Sequence, residues 1–182
     1  FLYPMHNLLI WNVRGATNNS SVRRLRALLC LHHIAILVLL EPMADTCNIE
    51  TLRVKLSFDF CLLNSSNKIL VFWHFGFHFH VLCNSEQFLH VMVGHNSWTE
   101  TINASFVYAK CTRAERRILW SELSSLAGSI SRPWLVGGIS TLSAHWQSMR
   151  ADRPKTLRRF LILMVQFLTA TSRTSPTPEA LT

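Results

Sequence analysis

Residues 8–15 read LLIWNVRG and residues 35–42 read AILVLLEP, and each apolar run ends abruptly on a polar group, Asn12 or Glu41. A helix-like stretch of about twenty residues joins the two runs. This order is typical of two neighbouring parallel strands with a crossover helix, which places both polar residues at the carboxyl ends of their strands. An amide oxygen and a carboxylate side by side are suitable ligands for Mg²⁺. The two stretches therefore predict one half of a magnesium site at a sheet edge.

Five short motifs occur in a fixed order along the chain. They are WNVRG at 11–15, LEPM at 40–43, KILVFW at 68–73, FVYAKCTRAERR at 106–117 and WLVGG at 134–138. One motif alone is a weak signal, but five in this order are specific. Over residues 6–138 the sequence resembles the endonuclease/exonuclease/phosphatase family, the DNase I-like enzymes, in the version carried by plant LINE-type retrotransposons.

The resemblance implies an α/β fold, a four-layer DNase I-like sandwich of two facing β-sheets flanked by helices. It also implies Mg²⁺-dependent hydrolysis of phosphodiester bonds. By position in the motifs, Asn12 and Glu41 would hold the metal, and Tyr108 would help to place the scissile phosphate.

The sequence departs from the family pattern after Gly138. The family continues with Asp-Phe-Asn and ends with an Asp-His pair, whereas this chain reads Ile139-Ser140-Thr141 and ends at Thr182 without such a pair. Activation of water and stabilisation of the leaving oxygen depend on such groups. We therefore expect a remnant of the nuclease domain that is incomplete at the C-terminus and catalytically inactive, which leaves its status as an enzyme uncertain.

The same position marks a predicted domain boundary. We expect residues 1–138 to form the nuclease-like domain and residues 139–182 to form a divergent basic tail. A change of reading frame near Gly138 is one explanation for the tail, in which residues 158–170 resemble an apolar helix with basic flanks. The chain also begins without Met, so we expect it to be a fragment or an unusual gene product.

Apolar periodicity and turn residues predict the other elements. The predicted helices cover 22–32, capped by Ser20 or Ser21, 49–56, and 113–126, capped by Thr112 with Ile118, Leu119, Leu123 and Leu126 inward. The predicted strands cover 6–12, 34–40, 59–63, 69–74, 77–83, 88–93, 102–109 and 134–136. This order describes an α/β protein with a β-rich middle.

The net charge of +8 favours polyanionic partners. After Cys111 there are ten Lys and Arg against four Asp and Glu, a balance of +6. Arg113, Arg116 and Arg117 are candidate nucleic-acid contacts, although Glu115 lies among them and a solvated helix face is the better default explanation of the pattern. We expect weak, non-specific binding of nucleic acid.

Other classes of partner find no support in the sequence. No apolar run reaches the roughly 18–20 residues of a membrane span, and no P-loop or dinucleotide motif indicates a small-molecule cofactor. The five widely spaced cysteines favour reduced thiols and an intracellular location, nuclear or cytoplasmic. Two alternatives stay open beside the inactive nuclease: a non-catalytic basic module that binds nucleic acid, and a pseudogene product without function.

Overall fold

The computed structural model describes residues 6–13, 19–43, 46–139 and 162–167. Its helices are α1 (Asn19–Leu31), α2 (Thr46–Leu56) and α3 (Arg113–Ser129). Its strands are β1 (His6–Asn12), β2 (Ile34–Leu40), β3 (Phe60–Leu63), β4 (Ile69–Trp73), β5 (Phe77–Asn84), β6 (Phe88–His95), β7 (Ile102–Tyr108), β8 (Trp134–Ile139) and β9 (Ile162–Phe167). The predicted elements of residues 6–138 are all present, with ends that shift by a few residues.

The first sheet has five strands in the order β3-β4-β2-β1-β9. Strands β1 and β2 run parallel, with Asn12 beside Leu40, and α1 connects them as the sequence predicted. The other neighbours in this sheet pair antiparallel. Because β1 and β2 are parallel, their carboxyl ends meet at one edge of the sheet.

The second sheet has four strands in the order β5-β6-β7-β8. Its first three strands form an antiparallel meander, and β7 and β8 run parallel with Tyr108 beside Ile139. Helix α3 forms the crossover between these two strands. This sheet therefore also has an edge where two parallel strands end together.

Strand alternation divides the core into layers. On β2, Leu37 and Leu39 pack with α1 and α2, whereas Ile36, Val38 and Leu40 pack against apolar side chains of the second sheet. A third cluster joins α3 to the outer face of the second sheet. The layers are thus helix, sheet, sheet and helix, which confirms the predicted sandwich.

Helix α3 begins as the sequence predicted. The Thr112 side chain accepts a hydrogen bond from the Glu115 backbone N–H, and its hydroxyl donates to the Glu115 carboxylate at 2.5 Å. Such a cap satisfies a backbone donor that the helix leaves unpaired. Leu119 and Leu123 are buried, but the predicted inward position of Ile118 is wrong, because that side chain is exposed.

Helix α1 corrects one local prediction. It begins at Asn19, so Ser20 and Ser21 lie in its first turn and do not occupy the N-cap position. Val22 and Leu25 are buried against the first sheet.

Strand β9 corrects the prediction for residues 158–170. Residues 162–167 form a strand that pairs antiparallel with β1, with Leu9 beside Met164. The period of an apolar run of this length does not distinguish a helix from a strand, which is why the sequence alone favours the wrong element here. The unpaired edge of β1 offers backbone hydrogen bonds that favour a strand instead. Residues 140–161 and 168–182 lie outside the described residues. The domain boundary at Gly138 therefore stays a prediction.

Helices within the described ranges are all too short or too polar to cross a membrane. The thiols of Cys30, Cys61, Cys83 and Cys111 are free.

Candidate active site

The edge formed by the ends of β1 and β2 carries Asn12 and Glu41. Asn12 is the last residue of β1 and is 1% exposed. Leu8 and Ile10 pack toward the second sheet, so alternation places Asn12 on the same inner face. The backbone N–H of Val13 donates to the carbonyl of Leu40 at 3.0 Å, which continues the pairing up to Glu41.

Glu41 leaves the strand in an unusual conformation. Its φ is +51°, in the left-handed region that non-glycine residues adopt at some energetic cost. Its backbone N–H donates to the Lys68 carbonyl at 3.0 Å, which holds this conformation. Continued alternation from Leu39 would direct residue 41 toward the helices. The left-handed turn breaks the alternation, and the carboxylate instead reaches the second sheet.

Tyr108 meets Glu41 from that sheet. It is the last residue of β7 and packs at the margin of the core between the sheets. Its hydroxyl donates a hydrogen bond to the Oε1 atom of Glu41. Its backbone N–H donates to the Gln87 carbonyl at 2.7 Å, which fixes the end of the strand. The structure thus brings together two of the residues singled out in the sequence, one from each sheet, beside Asn12.

The three candidate arginines lie at the start of α3, shortly after Tyr108. Arg113 and Arg117 are exposed. Arg116 is half-buried, and its guanidinium donates to the backbone carbonyls of Cys111 and Lys110. Arg116 therefore supports the turn between β7 and α3, whereas Arg113 and Arg117 project into solvent.

Acidic groups neutralise one nearby cation. The Lys110 ammonium contacts Glu86 at 2.6 Å and Glu115 at 3.4 Å. The hydrogen bond that Lys110 donates to Glu86 is the main cause of a raised Lys110 pKa. The pKa of Glu115 is lowered, chiefly by the hydrogen bond from Thr112. All three groups are solvent-accessible, so these pairs add little to stability, and Lys110 is balanced by acidic partners.

The donor set at the edge fits a hydrated magnesium ion. Mg²⁺ prefers oxygen ligands and is commonly held by one or two carboxylates, with water and substrate phosphate completing its shell. The Glu41 carboxylate and the Asn12 amide are oxygen donors on adjacent chain segments. No cluster of three or more His, Cys, Asp or Glu side chains occurs within the described ranges, so any metal shell here would include water or phosphate.

Sequence reasoning missed two buried amides beside the site. Asn64 is 2% exposed and Gln87 is 6% exposed. Both lie in hairpin turns, where polar residues are expected, so their residue types gave no sign of a structural role. A polar residue that is nearly fully buried is informative only once its burial is known.

Comparison with known proteins supports the fold. No protein-family model matches the sequence, and no curated protein matches it either. Among solved structures, a D. rerio TDP2 humanized by 14 mutations is 17% identical, with a TM-score of 0.59 over 83% of this chain and 68% of the other. The endonuclease domain of TRAS1, a telomere-specific non-LTR retrotransposon, is 12% identical, with a TM-score of 0.55 over 79% and 64%. TDP2 from Caenorhabditis elegans is 12% identical, with a TM-score of 0.51 over 74% and 47%.

The topology of the chain and the matched structures indicate the same architecture. The chain has the DNase I-like fold, and it is structurally similar to TDP2 and to a retrotransposon endonuclease domain. It spans between about half and two thirds of the length of these structures. At such identities the likeness establishes architecture, and the chemistry must be argued from the site.

Proposed function

We propose that this chain is a remnant of the Mg²⁺-dependent endonuclease domain of a plant LINE-type retrotransposon, and that it binds nucleic acid without cleaving it. The observation that carries the proposal is the contact between Glu41 and Tyr108 across the two sheets, beside the buried Asn12. Of the similar structures, one is an endonuclease domain from a non-LTR retrotransposon, and a D. rerio TDP2 structure holds a single-strand DNA product.

Each residue has a role in this proposal. Glu41 and Asn12 would hold the metal, and a bound magnesium ion would supply charge stabilisation at a phosphate oxygen. The Tyr108 hydroxyl is a hydrogen-bond donor at the same edge, suited to a phosphate oxygen. Arg113 and Arg117 would contact phosphates further along the strand, because their cationic groups are exposed on the helix that follows Tyr108.

Loss of cleavage follows from the sequence after Gly138. The family pattern has Asp-Phe-Asn there, and this chain has Ile139-Ser140-Thr141. Substitution of an ionisable carboxylate by an isoleucine removes a group that could act as metal ligand or base. Binding through phosphate contacts does not need that group, so binding and cleavage are separable.

The test compares nicking and binding in one nuclease-free preparation. Supercoiled plasmid is incubated with the chain and with Glu41→Gln at millimolar Mg²⁺, and binding to a fluorescent single-stranded oligonucleotide is measured by anisotropy over a salt series. We expect nicking at the background rate for both proteins, and binding that weakens with salt and varies little with sequence.

Three outcomes contradict the proposal. Mg²⁺-dependent nicking that Glu41→Gln abolishes identifies an active nuclease. Absence of oligonucleotide binding at low salt favours the product without function. A single preferred sequence at physiological salt also contradicts the proposal, because it requires base-specific contacts.

A further inference from the structure

Two buried amides connect the halves of the site. Asn64 belongs to the turn between β3 and β4 in the first sheet, and Gln87 belongs to the turn between β5 and β6 in the second. Each amide is hydrogen-bonded through both its oxygen and its nitrogen. We propose that Asn64 and Gln87 are positioning residues that hold Glu41 and Tyr108 within reach of each other. The inference rests on the proposed function in taking that pair as the site.

The chain of contacts begins at Glu41. Its N–H donates to the carbonyl of Lys68, and the N–H groups of Lys68 and Ile69 donate to the Asn64 Oδ1 atom at 3.0 Å and 2.9 Å. The Asn64 backbone closes the same turn through a bond from its N–H to the Ile69 carbonyl at 2.9 Å. Asn64 therefore fixes the carbonyl that holds Glu41 in its left-handed conformation.

The two turns are joined directly. The Asn64 Nδ2 group donates to the Ser85 carbonyl at 3.1 Å, and the Ser65 N–H donates to the Asn84 Oδ1 atom at 2.9 Å. These bonds connect a hairpin of one sheet to a hairpin of the other. Apolar packing between sheets is non-directional and permits sliding, whereas hydrogen bonds of this kind specify one relative position.

Gln87 completes the connection to Tyr108. Its carbonyl accepts from the Tyr108 N–H, its Oε1 atom accepts from the Lys110 N–H at 2.9 Å, and its Nε2 group donates to the Glu115 carbonyl at 3.0 Å. Gln87 thus ties the end of β7 to the first turn of α3. The Gln87 N–H also donates to the Ser85 Oγ atom at 3.4 Å. A continuous path of hydrogen-bonded residues therefore leads from the backbone of Glu41 to the backbone of Tyr108, in parallel with the direct bond between their side chains.

The experiment monitors the geometry of the site through the NMR resonance of the Tyr108 phenol. The chain has two tyrosines, so Tyr3→Phe leaves Tyr108 as the only one. In this background, ¹³Cζ-labelled tyrosine gives a single NMR resonance that reports the hydrogen bond of the phenol. Glu41→Gln calibrates the shift caused by loss of the carboxylate partner. Amide hydrogen exchange at Glu41 and Tyr108 reports local opening.

The variants cut the path at different points. Asn64→Asp keeps the oxygen that accepts from Lys68 and Ile69 but removes the donor to Ser85, so it breaks one of the two bonds between the turns and leaves each turn closed. Gln87→Met removes both side-chain bonds at similar volume. Asn84→Ala removes the second connection from an exposed position, so it folds even if the buried variants do not.

The matched control is Ser105→Ala. Ser105 is fully buried on β7 and bonds to His90 and Trp134, away from the inner face. Its loss lowers stability without touching the path. We expect Asn64→Asp and Gln87→Met to move the Tyr108 resonance toward its Glu41→Gln position and to speed amide exchange at Glu41 and Tyr108. Asn84→Ala should do the same to a smaller extent, and Ser105→Ala should leave the resonance in place.

The proposal is overturned if the path variants lower the melting temperature as Ser105→Ala does and leave the Tyr108 resonance unmoved. In that case the amides stabilise the fold only. The readout needs no cleavage and no nucleic acid, so failure of the proposed function leaves it unaffected, and its own failure leaves the binding and nicking results standing.

Discussion

Tyr108 donates a hydrogen bond to Glu41 from the opposite sheet of the sandwich. The two residues are 67 positions apart in sequence. Tyr108 is the last residue of β7 and Glu41 directly follows β2, so each lies where a parallel pair of strands ends. The bond therefore reports both the relative position of the sheets and the geometry of the candidate site.

The first prediction concerns the strength of this bond. Tyr108→Phe removes the donor and leaves the half-buried Glu41 carboxylate without that partner. Hydrogen bonds to charged groups contribute about 1.5–3 kcal/mol, and partial exposure places this one near the lower end. We expect a loss of about 1–2 kcal/mol in the free energy of unfolding, measured by urea denaturation.

A double-mutant cycle with Glu41→Gln isolates the pair. Contacting residues show coupling energies of about 0.5–3 kcal/mol. Strict additivity of Tyr108→Phe and Glu41→Gln would mean that the bond contributes nothing to stability in solution.

The second prediction concerns Gly138, which lies beside Val107 in the parallel pair of β7 and β8. Its φ is +154°, and a Cβ atom there would lie 1.9 Å from the Val107 carbonyl oxygen. Gly138→Ala must displace backbone, which we expect to cost at least about 3 kcal/mol in the free energy of unfolding. The measurement is again a urea midpoint.

Gly128→Ala is the matched control. Gly128 lies in α3 with open space around the added Cβ. Alanine in a helix is favoured over glycine by about 0.5–1 kcal/mol, so this variant should be more stable. If both substitutions have the same sign, the close approach at Gly138 is not a determinant of stability.

The third prediction concerns pH. Burial lowers the pKa of His90 and His6, and of His95, below the ordinary value of 6.5, and contacts between histidines add to this for His6 and His95. The folded state then binds fewer protons than the unfolded state below about pH 6.5, so stability is present above that pH and is lost as the pH falls toward the folded pKa values. We expect urea midpoints that are constant from pH 8 to 7 and decline from about pH 6.5 to 5.

The carboxylates affect stability in a separate, lower pH range. The lowered pKa values of Glu50, Asp59 and Glu115 make contributions to folding stability that are lost only below about pH 4.5.

Two histidine variants test the assignment. His90→Gln should flatten the decline of the urea midpoint between pH 6.5 and 5, and His80→Asn, at an exposed position on β5, should preserve that decline. A midpoint that rises on acidification to pH 5.5 would contradict the assignment.

The fourth prediction concerns the arginines of α3. If Arg113 and Arg117 contact phosphates, their joint replacement by Gln should weaken oligonucleotide binding and reduce the slope of log K against log salt by about 0.7 per lost contact. Arg116→Gln should chiefly lower stability, because its guanidinium bonds to backbone carbonyls.

Lys55→Gln is the control for net charge, since Lys55 is exposed on α2 in the opposite helical layer. An equal loss of affinity in Lys55→Gln and in either arginine variant would show that binding responds to total charge and not to this helix.

Much of the fold can be predicted from the sequence. The apolar runs of β1 and β2, each buried on both faces, and the intervening amphipathic helix determine a parallel pair without reference to distant residues. The cap at Thr112 is likewise local, because its partner Glu115 lies three positions away. These features follow from side-chain period and from short-range hydrogen bonds, which a sequence displays directly.

Tertiary structure decided the rest. The apolar run of β9 suits a helix or a strand, and the free edge of β1 selects the strand. Glu41 has no local preference for a left-handed conformation; the Lys68 carbonyl and the Tyr108 hydroxyl impose it from other elements. Asn64 and Gln87 are ordinary turn residues in sequence, and their burial arises only when two hairpins from different sheets meet. The sequence by itself determined the elements of residues 6–138 and the candidate residues Asn12, Glu41 and Tyr108, whereas the mutual geometry of these residues depends on long-range contacts that no local pattern records.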